Sequence, residues 1–311
     1  MTTAIYSHPD CRRHDMGRGH PECAQRLDAI DDYLLSHGMA AALERRDAPV
    51  VDLADLGLAH SSGYVDELRD LLEGVAASGE ARAIDPDTIA CPGTLQAVMR
   101  AAGAAVAATD AVIDGEVENA FCAVRPPGHH ATRDTAMGFC FFNNVAVAAR
   151  HALDVRGLKR VAIVDFDVHH GNGTEDIIAG DDRILMVSIF QHPLYPYCGG
   201  VPKGTNMVNL PVPPYTRGAE IRELIEANWM PRLEAFRPEM IFVSAGFDAH
   251  REDDLGQMGL VEADYAWMTA RVKEVAARHA QGRIVSSLEG GYNLSALGRS
   301  VEAHVRALAD L

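Results

Sequence analysis

The chain has 311 residues, with 28 Lys and Arg against 44 Asp and Glu, a formal net charge of −16. Apolar residues make up 48% and charged residues 23%, values typical of a soluble globular protein and outside the range of disordered or low-complexity chains. The acidic balance argues against a nucleic-acid binder, and no run reaches the roughly 18 uncharged apolar residues of a membrane span.

In chain order, Glu22–Ser36 and Leu95–Ile113 carry helical periodicity, and Ala120–Val124 is a short apolar run of strand character. Helical Val145–Val155 follows, then strands at Val161–Val164 and Ile184–Ile189. Gln191–Pro214 is rich in Pro and Gly and reads as one long loop, a length that in compact domains usually serves function. The pattern resumes with helical Ala219–Phe236, strand Met240–Val243, helical Asp264–Ala280, strand Ile284–Ser287 and helical Leu297–Leu311. Continuous apolar strands alternating with helices predict an α/β fold whose parallel sheet is covered on both faces. The alternation is unbroken, so residues 1–311 read as a single domain. The start, Met1–Asp15, lacks the apolar stretch of a signal peptide, and the six cysteines are scattered without a C-x-x-C pair. Both features suit reduced thiols and a cytoplasmic location.

Ligands of open parallel sheets bind beyond the carboxyl ends of the strands. Four predicted strands run straight into polar, glycine-containing segments there: Arg125–His130, Asp165–Thr174, Ser244–Asp248 and Glu289–Asn293. Asp167 and His169 are two residues apart, so an extended backbone points them to one side. With Asp248 from another strand end they form a three-ligand set that leaves coordination positions open, the layout of a catalytic metal site. Zinc is the first choice, and the oxygen-rich donors also suit Fe²⁺ or Co²⁺. His129 and His130 suit proton transfer, with Asp165 and Asn172 placed to hold one ring each. Tyr292 could donate to an oxyanion forming opposite the metal. Singly, each motif has a plainer reading: a capping aspartate, a hydrogen-bonded core histidine, a packed tyrosine. Four such clusters on four strand ends weigh against coincidence.

Together these motifs, with His14-Asp15, Gly19–Glu22, Arg26 and Gly138–Asn144, resemble the zinc-dependent histone deacetylase superfamily, which includes bacterial deacetylase-like amidohydrolases and acetylpolyamine amidohydrolases. The wording of His169–Thr174 and Ser244–His250 is similar to its class II branch. The resemblance implies an arginase-like domain with a central parallel eight-stranded sheet. It makes Asp167, His169 and Asp248 the zinc ligands, His130 the principal general base, and His129 with Asp165 an electrostatic aid. Tyr292 becomes the hydroxyl that polarises the acetyl carbonyl. Asn172, where class I members carry an acid, leaves its histidine less basic. Gly138 and Phe139 would line the channel for the substrate's aliphatic stem, with Tyr195 as the opposite wall. A structural K⁺ near Asp165 and Ser188 is also implied. The expected substrate is an acetylated amine, acetyl-lysine of a protein or peptide first and acetylpolyamine second; homo-oligomerisation stays open. An arginase-type ureohydrolase would need a second metal and an acid at position 250, where His250 stands. An inactive acyl-lysine binding module would be expected to have lost one of these residues. Asp85 and Asp87 lie in a Pro-containing segment that could reach the channel rim, and read first as solvated loop carboxylates.

Overall fold

In the computed structural model, which describes residues 2–311, the chain opens with β1 (Thr3–Ser7), α1 (Gln25–Ser36) and β2 (Leu43–Asp47). Helices α2 (Leu53–Ala59) and α3 (Ser62–Ser78) lead to the short strands β3 (Arg82–Ala83) and β4 (Ile89–Ala90). Then come α4 (Thr94–Ile113), β5 (Asn119–Cys122), α5 (Asn144–Asp154), β6 (Val161–Asp165), α6 (Asn172–Ile178), β7 (Ile184–Gln191) and β8 (Met207–Val212). The chain closes with α7 (Gly218–Phe236), β9 (Met240–Ala245), α8 (Glu262–His279), β10 (Ile284–Leu288) and α9 (Leu294–Leu308). Eight of the strands form one sheet in the order β2-β1-β5-β10-β9-β6-β7-β8, every pair parallel; β3 and β4 make a separate antiparallel pair.

The five strands expected from apolar runs are β5, β6, β7, β9 and β10, and every residue of each is buried. Burial on both faces is what erases the polar alternation and leaves a continuous apolar run. β5 ends at Cys122, two residues short of the expected Val124, because the chain there already turns towards the site. Gln191–Pro214 is not one loop. Its second half is β8, an edge strand in register with β7 from Met186↔Met207 to Gln191↔Val212. Pro211 hid it, since a proline is tolerated in a strand at a sheet edge, where its missing N–H costs no ladder bond. At the opposite edge β2 reads Leu-Glu-Arg-Arg-Asp and buries only Leu43, the charged pattern that keeps an edge from pairing further.

Two layers of helices cover the sheet: α1, α9, α8 and α7 pack in succession, and α3, α4, α5 and α2 form the other group. α4 is buried along most of its length and packs on β1, β5 and β10, which accounts for its nearly all-apolar sequence. Among the described residues, no helix is long and apolar enough to cross a membrane.

The strand order has one consequence for function. β5, β10, β9 and β6 are adjacent at the centre of the sheet although they are far apart in the chain. Their carboxyl ends are the four polar segments singled out in the sequence, so all four open on one crevice.

Candidate active site

Beyond β6 the chain is bent by its own carboxylates. Asp165 Oδ1 accepts the Asp167 N–H at 3.1 Å, and Asp167 Oδ1 accepts the His169 N–H at 2.8 Å. These successive turns, the usual local habit of aspartate, set Asp167 and His169 on one side. Asp248 arrives from the end of β9, fixed by the Val168 N–H donating to its Oδ1 at 2.9 Å. His169 Nδ1 lies 3.1 Å from Asp167 Oδ1 and 3.1 Å from Asp248 Oδ2. Among the described residues this is the one group of three side chains with metal-ligating atoms all within 4.8 Å of one another. It is nearly closed to solvent: His169 is the most open member, with 11% side-chain exposure.

Glycine makes room for it. A Cβ at Gly290 would stand 2.0 Å from Asp248 Oδ2 and 2.7 Å from Asp167 Oδ2, so the β10 end can close over the carboxylates only as glycine. The Gly290 N–H donates to Asp167 Oδ2 at 2.8 Å.

The histidine pair follows β5. His129 Nδ1 is 3.1 Å from Asp165 Oδ2, and its Nε2 is 3.8 Å from Asp167 Oδ2. His130 Nδ1 is 2.7 Å from Asn172 Oδ1. The ring centroids of the two histidines are 4.1 Å apart, and His130 lies 5.9 Å from His169. Their turn is held by Glu289, whose Oε2 accepts the Gly128 and His129 N–H groups at 2.7 and 3.0 Å.

Charge divides the pair. Burial opposes the imidazolium of His129, but the charges of Asp167, Asp165 and Glu289 outweigh it and push the group up to about 10. Burial, reinforced by the neighbouring His129 and His169, holds His130 well below its ordinary value. Neutral His130 donates through Nδ1 to the Asn172 oxygen, which leaves Nε2 as the free base. Burial and the adjacent Asp167 charge push Asp248 up, whereas His129 and His169 overcome burial to hold Asp167 down. Burial pushes Glu289 up to about 7. Four carboxylates (Asp165, Asp167, Asp248 and Glu289) thus share one buried space with no arginine or lysine bonded to them. Such a group is short of positive charge, and a bound cation is the usual remedy.

Tyr292 stands at the end of β10, its phenol pushed well above its usual range by burial. The Arg26 guanidinium lies over its ring at 4.9 Å, and the Phe139 ring meets it edge-on at 5.9 Å. Phe139 is reached through a left-handed stretch, with φ +57° at Gly138 and +67° at Phe139 itself. A Cβ at Gly138 would come within 2.6 Å of the His130 ring, so only glycine lets the backbone pack there. Tyr195 packs near the histidines, its centroid 5.1 Å from His130 and 6.3 Å from His169. Gly138 and Tyr195 therefore pack against the His130 ring, and Phe139 against Tyr292. Asp165 faces Ser188 across the β6–β7 register.

One expectation changes. Asp85 and Asp87 are half-buried rather than solvated, in the turn between β3 and β4. The carbonyl of Asp87 is 3.3 Å from His20 Nε2, and Thr88 Oγ1 accepts the Phe139 N–H at 3.0 Å. Burial and the Asp85 carboxylate push Asp87 up to about 6, and the charges of both acids help burial raise Tyr195. The turn that carries the acids therefore lies beside Phe139 and Tyr195. His250 stays outside the three-ligand group: its Nδ1 accepts the Glu252 N–H at 3.2 Å and its Nε2 lies 3.4 Å from Glu262.

The sequence motifs contain Glu22, Arg26, Arg125 and Glu289 without showing a role for them, and Asp253 lies outside every motif. Glu22 takes both guanidinium groups: Arg125 Nη2 donates to it at 2.6 Å and Arg26 Nη1 at 3.2 Å, with all three residues fully buried. Arg26 also donates through Nε to the Gly291 carbonyl at 2.6 Å and through Nη2 to that of Glu289, which ties this cluster to the tyrosine turn. Arg125 and Glu289 could have been found as charged residues directly after apolar runs; Glu22, Arg26 and Asp253 lie in polar segments that carry no such signal.

A family model described as a histone deacetylase domain matches residues 20–308. The chain is 39% identical to the histone deacetylase-like amidohydrolase of Pseudomonas aeruginosa, over 88% of this chain and 72% of that one. It is 35% identical to polyamine deacetylase HDAC10 of Homo sapiens, over 99% of this chain and 48% of that one. The crystal structure of the HDA15 HD domain matches with a TM-score of 0.92 at 31% identity, covering 99% of this chain and 88% of the other.

Proposed function

The chain belongs to the histone deacetylase family, and from that premise we propose that it is a zinc-dependent hydrolase of N-acetyl amides, acting first on acetyl-lysine. The observation that carries this reading is the meeting of Asp167, His169 and Asp248 with a neutral His130 and with Tyr292 at the ends of four neighbouring strands.

The donor set fits a divalent cation. Two carboxylates and an imidazole converge, glycine clears the space over them, and no arginine or lysine is bonded to the acids. When bound there, zinc would polarise the acyl carbonyl and bring the pKa of an adjoining water from about 15.7 towards roughly 7. Fe²⁺ or Co²⁺ is compatible with the same donors. His130 Nε2 takes the proton of the attacking water, since its neutrality at physiological pH makes it the base. His129, tied to Asp165, supplies positive potential beside the developing negative charge and keeps His130 unprotonated. The Tyr292 phenol, with a raised pKa, keeps its proton and donates it as a hydrogen bond to the oxyanion. His130 then returns its proton to the departing amine. Gly138, Phe139 and Tyr195 confine the aliphatic stem. A structural K⁺ beside Asp165 and Ser188 belongs to the same reading.

Asp85 and Asp87 at the rim favour a cationic amine over a neutral one, and their charge is the reason to keep acetylpolyamines as a second substrate class. The free, unpaired cysteines suit a reducing compartment, and the reading places the enzyme in the cytoplasm. The test is a panel of acetyl-lysine peptides, longer acyl-lysines, acetylputrescine and acetylspermidine on zinc-reconstituted protein, with and without chelator. Acetyl-lysine peptides are expected to turn over fastest and chelator to abolish the reaction. Preference for the acetylpolyamines would select the second class, and no turnover of any acylated amine would reject the reading.

A further inference from the structure

Tyr292 follows two glycines, and Gly291 has φ +120°, so the backbone that delivers the phenol has little stiffness of its own. Its position has to come from outside. Asp253, 6% exposed, provides the tie: its Oδ2 accepts the N–H of Tyr292 at 2.6 Å and that of Asn293 at 2.9 Å. Its Oδ1 accepts the Leu255 N–H at 3.0 Å, which fixes the carboxylate within its own loop. That loop begins at Asp248. One buried carboxylate thus registers the tyrosine turn against the segment that carries a metal ligand.

We infer that Asp253 is a positioning residue for Tyr292, holding the phenol at the distance from the metal group at which it can donate to an oxyanion. The inference rests on the deacetylase reading and adds to it a residue outside its catalytic set. The arrangement repeats a device already present, for Glu289 clamps two consecutive amides of the histidine turn in the same way. A carboxylate is needed rather than an amide. Asn at 253 has one acceptor oxygen, so either its NH₂ faces the Leu255 N–H or it faces the paired amides of Tyr292 and Asn293. In both cases two donors oppose each other in a buried space, and the turn must shift.

The experiment is a double-mutant cycle on zinc-reconstituted protein, read together with hydrogen exchange on metal-free protein. Asp253→Asn should lower kcat about ten- to a hundredfold, the effect of misplacing a reacting group by an ångström or less, with KM and metal content unchanged. Tyr292→Phe should lower kcat by about two to three orders of magnitude. In the Tyr292→Phe background, Asp253→Asn should cost less than about twofold, because a residue acting only through the phenol has nothing left to position. The amides of Tyr292 and Asn293 should exchange faster in Asp253→Asn and keep their protection in Tyr292→Phe. If Asp253→Asn does not fold, Asp253→Ser runs the same cycle. Unchanged kcat, a loss equally large in both backgrounds, or loss of metal would overturn the inference. Near-normal turnover of Tyr292→Phe would instead reject the role given to the tyrosine, and the exchange experiment would still judge the clamp.

Discussion

Two buried charge clusters meet at the Glu289–Tyr292 turn, and they solve the problem of burying charge in opposite ways. Around Glu22 the chain supplies its own balance. Arg26 and Arg125 share the carboxylate, and their remaining N–H groups go to the carbonyls of Gly291, Glu289, Cys11 and His14. Burial would raise Glu22, but the two guanidinium charges prevail and hold it down at about 2. Around Asp167 and Asp248 the chain withholds that balance. Only histidines face the acids, one acid is held ionised, and another is pushed up. A cluster that is complete in the chain is architecture; one that stays short of a cation is a place for a cation to bind. Burial and polarity alone would have graded the two alike.

The contrast is broken most severely by removing a carboxylate from each side. Asp248→Asn takes away a proposed ligand, so turnover should fall by at least about three orders of magnitude, the scale of several kcal/mol supplied by a catalytic metal. Metal content should drop with it in mass spectrometry of the native protein. Yet the metal-free variant should lose far less stability than Glu22→Gln does, since the substitution relieves repulsion with Asp167 and its side-chain oxygen still accepts from Val168, which offsets the weakened contact with His169. Glu22→Gln should do the reverse. It strands two fully buried guanidinium groups, and breaking a buried pair in this way costs about 3–5 kcal/mol. Denaturant unfolding should show that loss while the metal stoichiometry of the folded protein stays unchanged. If both variants lost stability and kept metal, the two clusters would be of one kind and the distinction would fail.

How much of this could be read without coordinates follows from the same contrast. The metal group, the histidine pair and the tyrosine are legible because each lies directly after an apolar run, and the end of a parallel strand is where polar residues gather for a ligand. β5, β6, β7, β9 and β10 are legible because burial on both faces leaves them mostly apolar, whereas interior β1, with Thr3, Tyr6 and Ser7 among its five residues, is not. β2 and β8 are not, since an edge strand is half-solvated and its sequence carries charges or a proline where a central strand carries valine. The strand order is not legible either. Nothing in the chain announces that β10 lies between β5 and β9, and on that order depends the meeting of Glu289 with Gly128 and His129, 161 and 160 residues away. Asp253 escaped for the same reason: its partners lie 39 and 40 residues on, and its neighbours Glu252 and Asp254 are exposed acids that make it look like one more surface charge.

A third buried polar unit sharpens the comparison with the smallest effect. His304 on α9 sits between Thr269 Oγ1 at 2.6 Å and Ser286 Oγ at 2.9 Å, with the rings of Phe121, Phe166 and Phe247 around it. No charge faces it, so burial alone acts, and it holds the imidazole down at about 3 against an ordinary 6.5. Unlike the two clusters, this unit needs no counter-charge because burial keeps it neutral in the folded state near neutral pH. The unfolded chain, by contrast, takes up a proton at this histidine as pH falls below about 6.5. The stability His304 contributes is therefore fully present above about 6.5 and is lost as pH falls towards about 3. The limiting slope is about 1.4 kcal/mol per pH unit for one such group, so at pH 5.5 the loss is roughly that amount. His304→Gln, which keeps a donor and an acceptor but cannot titrate, should unfold with a shallower acid dependence than wild type between pH 6.5 and 4.5. Two other buried histidines, His14 and His60, are held at about 4 and should leave a residual slope in the variant. Parallel curves for the two proteins would mean that His304 is protonated in the folded core, and that a negative partner reaches it after all.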